Sequence, residues 1–224
     1  MRKIVEGVRR FQATAFREQR EFFEHLARKQ QTPQALFITC SDSRINPNLI
    51  TSTEPGDLFI LRNAGNIIPP YGAANGGEGA TVEYAVSVLK MPSIIICGHY
   101  HCGAMTSLMQ PEQLGDLPAV RKWFSHAEAT RRIVTEKFPR LAPQARVDPA
   151  IEQNVLVQID NLRTHPCVAA ALSRGELNLY GWVYRIETGE VLAYDPAMGR
   201  FLPIAESDPS PFPFVPHLSC TAVS

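Results

Sequence analysis

Ile4, Val8, Phe11, Phe22, Phe23 and Leu26 recur at roughly helical spacing among Arg, Glu and Gln, which predicts one or two helices at the N-terminus. The pattern then changes to short unbroken apolar runs. ALFITC (Ala35–Cys40) follows Pro33 and reads as a buried strand, and DLFILRN (57–63) reads as a second. GGEGATVEYAVSVLKM opens on glycines and becomes a helix, with Val82, Ala85, Val86 and Leu89 on one face. SIIICGH is a third strand, rich in β-branched residues and stopping at Gly98. Stretches 116–138 and 150–172 read as helical, and LYGWVYRI and VLAYD, separated by a Thr-Gly turn, as a final pair of strands. Strands alternating with helices predict an α/β domain with a mostly parallel central sheet flanked by helices. That domain is expected over 1–204, with 1–30 as a helical arm. The proline-rich stretch 205–224 is expected to be an extended or disordered tail.

Charge narrows the function classes. Over 224 residues, 22 Lys and Arg balance 22 Asp and Glu, so nothing favours nucleic acid or an anionic membrane surface. The charged amphipathic start is not a secretory signal, and no apolar run approaches the length that spans a bilayer. Five cysteines at irregular spacing do not form a disulfide framework, and a reducing compartment fits them better. Cys220, in the tail, has no visible partner.

Thiols that stay free are available to a metal. Ligand sites in such folds lie at the carboxyl ends of parallel strands. Cys40 ends the first strand, and His99 follows the end of the third within CGHYHC (97–102). Cys97 continues the apolar run and is expected to be buried in the sheet. His99 and Cys102 are three apart, so a turn puts both on one side and sends His101 elsewhere. Cys40, His99 and Cys102 would give zinc three ligands and leave a fourth position open, as at a catalytic site. By spacing alone, one buried histidine and one packing cysteine explain His-x-x-Cys as well. CSDSR, from Cys40, adds an acid and a base beside the thiolate, although a surface Asp42–Arg44 pair on a turn would read the same.

CSDSR at one strand end and GHxxCG at another together resemble the β-class carbonic anhydrases. The resemblance runs from about Gln31 to Asp195. PNLI, GDLFILRNAGNIIPPYG, GGEGATVEYAV and CGHxHCGAM look like its cyanobacterial, carboxysome-associated branch. It implies Cys40, His99 and Cys102 as ligands of one zinc per chain and Asp42 and Arg44 as the catalytic pair. It also implies Gln31, Phe59 and Tyr84 as substrate-contacting residues. In the family the last two line the neighbouring subunit's pocket. A homo-oligomer built from dimers is therefore implied, up to a trimer of dimers, with the N-terminal helices packing on a partner. Phe37 stands where the subtype with an inhibitory bicarbonate site has Trp, so no such site is expected. Tyr100 replaces the usual Ser after the zinc histidine.

The implied reaction is the reversible hydration of CO2 to bicarbonate and a proton, a lyase reaction, with zinc making hydroxide available near neutral pH. Tyr84 and His101 are candidate proton relays, though packing or surface roles suit both. The GGEG stretch fits no phosphate-binding pattern, and Glu78 and Glu83 read as structural or interfacial. The branch implies a cytoplasmic, carboxysomal location, a scaffold protein as partner and a part in carbon fixation. A low-activity docking module of the carboxysome is the alternative.

Overall fold

The computed structural model describes residues 1–74, 76–205 and 208–214. It divides into two units, Met1–Thr32 and Pro33–Ser224. The first holds three helices, α1 (Arg2–Ala13), α2 (Ala15–Glu18) and α3 (Arg20–Arg28), where one or two were expected. The helical winding breaks at Thr14 and at Gln19, which leave α geometry. Phe11, Phe16 and Phe23 cluster across those breaks, with ring centroids 5.4–6.1 Å apart.

The second unit is an α/β sheet in the order β2-β1-β3-β4-β5-β6. Its strands are β1 (Ala35–Cys40), β2 (Leu58–Asn63), β3 (Ser93–His99), β4 (Asn178–Tyr184), β5 (Val191–Asp195) and β6 (Arg200–Pro203). The first four are mutually parallel, and β5 and β6 are antiparallel additions at one edge. β6 was not foreseen; its RFLP run is short and carries no alternation. Every residue of β1 is buried, as an unbroken apolar run in a covered parallel strand requires, while edge strand β2 is only partly covered.

The helices run α4 (Pro47–Thr51), α5 (Gly77–Glu83), α6 (Gly103–Met109), α7 (Pro118–Phe124), α8 (Glu128–Lys137), α9 (Val147–Arg163) and α10 (Pro166–Ser173). Two predicted long helices are each split. A 3-10 turn at Ser125–Ala127 separates α7 from α8, and Pro166 starts α10 afresh where α9 ends. α5 continues as a π-wound segment, Tyr84–Val88, yet Val82, Ala85 and Val86 are still buried on one face.

α9 is the central helix and lies against β3 and β4. Two glycines admit it: a Cβ at Gly98 would stand 3.0 Å from Val155 Cγ2, and one at Gly181 only 2.8 Å from Val155 Cγ1. Part of the expected tail is packed. Phe212 donates its N–H to Leu179 O at 2.9 Å, and its ring stacks on Tyr194 at 5.1 Å. Residues 206–207 and 215–224, with Cys220, lie outside the described residues. No helix among the described residues is long and apolar enough to cross a membrane.

Candidate metal centre

β1 continues to β2 on one side of the sheet, and β3 continues to β4 on the other. The strand order therefore reverses between β1 and β3, and a crevice opens beyond their carboxyl ends. Thr39 pairs with Cys97 in the register of these two strands, which brings Cys40 and His99 to the same edge. Past His99 the chain turns through His101, whose φ is 57°, and Cys102 becomes the N-cap of α6. Cys40, His99 and Cys102 thus present three ligand atoms within 4.8 Å of one another, all buried. Cys97 faces the sheet interior as expected, and burial pushes its thiol up to about 12.

The two sulfurs are 3.9 Å apart. Two thiolates on a tetrahedral zinc with Zn–S bonds of about 2.3 Å would stand about 3.8 Å apart, so the spacing fits that ion. His99 Nδ1 is paired with Tyr100 O at 2.9 Å. A carbonyl can only accept, so Nδ1 carries the proton and Nε2 keeps its lone pair. Nε2 is buried and has no hydrogen-bond partner among the described residues. A buried acceptor with no protein partner, beside two sulfurs, suits a metal-ligating role.

The thiol chemistry agrees. Cys40 is held well below the ordinary thiol range, chiefly by the hydrogen bond from Cys102, with the Gly65 N–H adding to it against burial. Cys102 is pushed up by that same bond and by burial. Thiols so close to each other and to a histidine nitrogen make a donor set that suits a divalent cation.

Asp42 stands beside this cluster, its Oδ2 3.9 Å from His99 Nε2. Arg44 grips the carboxylate as a fork, Nε to Oδ1 at 2.9 Å and Nη2 to Oδ2 at 2.7 Å, and adds its backbone N–H to Oδ1 at 3.0 Å. Nη2 also donates to His101 O at 3.0 Å. The guanidinium holds the Asp42 carboxyl far below the usual carboxylate range.

Residues that the sequence reading passed over shape the same edge. Arg62 donates to Cys40 O at 3.0 and 3.1 Å and to Asp42 O at 2.7 Å, so it clamps the CSDSR turn from β2. Gly65, at φ +83°, sends its N–H to Cys40 Sγ at 3.4 Å. A Cβ there would meet Ala104 Cβ and Met105 Cε at 3.1 Å. α9 holds this loop with a polar stripe. Asn154 Nδ2 donates to Gly65 O, Gln158 Oε1 accepts from Ile68 N–H, and Asn161 Nδ2 donates to Ile68 O. Their helical spacing in EQNVLVQIDN was visible in the sequence; what lay against the stripe was not.

The structure thus brings together Cys40, Asp42, Arg44, His99 and Cys102. Phe59 and Tyr84 stack on each other at 6.1 Å but lie elsewhere. Phe59 pairs with Leu36, whereas Cys40 pairs with Asn63. Four residues of strand put Phe59 about 13 Å along the sheet from the metal ligands of its own chain. Gln31 is exposed and belongs to the first unit. Phe37 is fully buried and packs edge-on to Trp182 at 6.1 Å. His101 is exposed, with Nε2 3.5 Å from Glu187.

Fold and cluster define an α/β protein with a Cys2His metal-binding site and a carboxylate–guanidinium pair at its rim. The comparisons with known proteins then name the family. The carbonic anhydrase family model matches residues 35–191. The carbonic anhydrase of Synechocystis sp. is 51% identical over 90% of this chain and 74% of its own length. That of Pseudomonas aeruginosa is 50% identical over 92% of this chain and 93% of its own. The solved structure of the β-carbonic anhydrase CcaA superposes with a TM-score of 0.88 at 50% identity, covering 91% of both chains. The chain belongs to the carbonic anhydrases, in their β class.

Proposed function

We propose that this carbonic anhydrase hydrates CO2 at one zinc per chain, held by Cys40, His99 and Cys102, with Asp42 and Arg44 as the catalytic pair. The observation that carries the reading is the buried, partnerless Nε2 of His99 beside two sulfurs at tetrahedral spacing. Zinc bound there supplies a Lewis acid that lowers the pKa of a water towards neutrality. Asp42 Oδ2 would accept a hydrogen bond from the attacking hydroxide, formed once that water has lost its proton to solvent, and so turn the oxygen lone pair towards CO2. Arg44 keeps that carboxylate ionised and aimed, and by engaging both oxygens holds it off the metal. Gln31 donates to a CO2 oxygen as charge develops on it. Phe59 and Tyr84 line the apolar side of the pocket. Because they stand far from their own chain's ligands, they serve a neighbouring copy, which supports a dimer as the smallest complete enzyme.

Stopped-flow CO2 hydration, on protein of determined zinc content, tests this. Fast hydration with one zinc per chain is expected. Zinc without hydration above buffer would refute it and favour a docking module that keeps the fold.

The finer reading places the enzyme in a carboxysome, on a scaffold, in the service of carbon fixation. Its support is the identity to the Synechocystis relative. The Pseudomonas relative is as similar and is matched over more of its length, and free cytoplasm is the competing location. Co-sedimentation of the tagged protein with carboxysome shells decides it.

A further inference from the structure

Tyr100 is bound on three sides at the point where the chain leaves β3. Its N–H donates to Tyr184 O at 3.0 Å. Its ring, only 7% exposed with the rest of the residue, lies under the Arg185 guanidinium, 4.9 Å from the centroid. Its hydroxyl donates to Glu152 Oε1 on α9 at 2.6 Å, a short bond. The same residue's carbonyl accepts the His99 Nδ1 proton. Beyond it the backbone turns at once into the left-handed conformation of His101, outside the ladder of β3. The peptide that orients the histidine is therefore held by the backbone bond to Tyr184 on one side, by Arg44 on the His101 carbonyl on the other, and by the Tyr100 side chain reaching Glu152.

We propose that Tyr100, tethered through its hydroxyl to Glu152, is a positioning residue that fixes the His99 imidazole and so sets how firmly the site holds its metal. The proposal rests on zinc binding at Cys40, His99 and Cys102. If the tether is cut, the carbonyl of residue 100 loses its side-chain support and is held by the flanking bonds alone. The imidazole then has a less firmly fixed partner to select its tautomer and aim Nε2 at the two sulfurs. Among the described residues the Glu152 carboxylate makes its hydrogen bond to Tyr100, and through that residue it reaches His99. Its acceptor oxygen, not its charge, is what the tether requires.

The test uses zinc-loaded wild type, Y100F, E152A, E152Q and the Y100F/E152A pair. Release of zinc to an excess of chelator is timed, and the visible ligand-field bands are recorded after cobalt(II) replacement. Y100F and E152A should each release zinc about tenfold faster, the range found when such outer partners of a metal ligand are removed. The double variant should be no faster than either single one. E152Q should match wild type, because its amide oxygen still accepts. The cobalt bands should shift in Y100F and E152A and stay put in E152Q; a purely structural role would lower stability without that ordering. Release and bands in Y100F indistinguishable from wild type would overturn the proposal alone. Wild-type protein that takes up no zinc would overturn it together with the metal site.

Discussion

Arg44 meets Asp42 with its backbone as well as its side chain, and both carboxylate oxygens are taken. A lysine cannot reproduce that fork. Arg44→Lys is expected to lower kcat by about 10- to 100-fold, the range that the loss of a charged hydrogen bond implies. Its zinc content should stay at the wild-type level; an unchanged kcat would remove Arg44 from the mechanism. The same geometry constrains the pH profile. The folded-state pKa of Asp42 is depressed, so its contribution to stability is full above the unfolded value of about 4. It is lost only as pH falls through the folded value. Asp42 therefore does not titrate between pH 6.5 and 9. Two thiolates on a zinc held there would also cancel its charge and make it a weaker Lewis acid than three histidines would. The rate should rise towards alkaline pH across that window, and a flat profile would contradict this account.

At the scale of elements, the site depends on how closely α9 approaches the sheet. Gly181→Ala would drive a methyl to 2.8 Å from Cγ1 of Val155, a fully buried branched side chain. A loss of about 1–3 kcal/mol in urea unfolding is expected, the usual range for overpacking. It should be partly recovered by Val155→Ala in the same chain. An unchanged midpoint would mean that the helix has slack. This packing also separates what was legible in the sequence from what was not. Cys40, Asp42, Arg44, His99 and Cys102 sit in two short motifs at strand ends, and it was the resemblance of those motifs to the β-class carbonic anhydrases that singled them out, since spacing alone left a packing histidine and cysteine equally open. Cys97 was legible because it continues an apolar run. Arg62, Glu152 and Asn154 were not, since each acts through a partner far along the chain that only the pairing of β2 with β1, or the seating of α9, brings near. The split helices were missed for a local reason: Pro166 was read through, and nothing in the apolar pattern marks the 3-10 turn at Ser125–Ala127.

At the scale of the whole molecule, one chain carries a metal site at the carboxyl end of its sheet and a Phe59–Tyr84 stack far from it. If that stack completes the pocket of a neighbour, two defects on different chains should complement each other. Phe59→Ala with Tyr84→Ala leaves the chain's own ligands intact but gives the neighbour no apolar wall. Cys40→Ser removes a metal ligand but leaves the wall. Each variant alone should be strongly impaired. Mixed one to one, unfolded and reassembled at random, half of the dimers join one chain of each kind. In these the zinc-bearing chain faces the intact wall, so about a quarter of wild-type sites should return for a two-fold symmetric dimer. Stopped-flow rates before and after mixing measure the recovery. If the stack serves its own chain, or no chain, the mixture can only average the two defective activities.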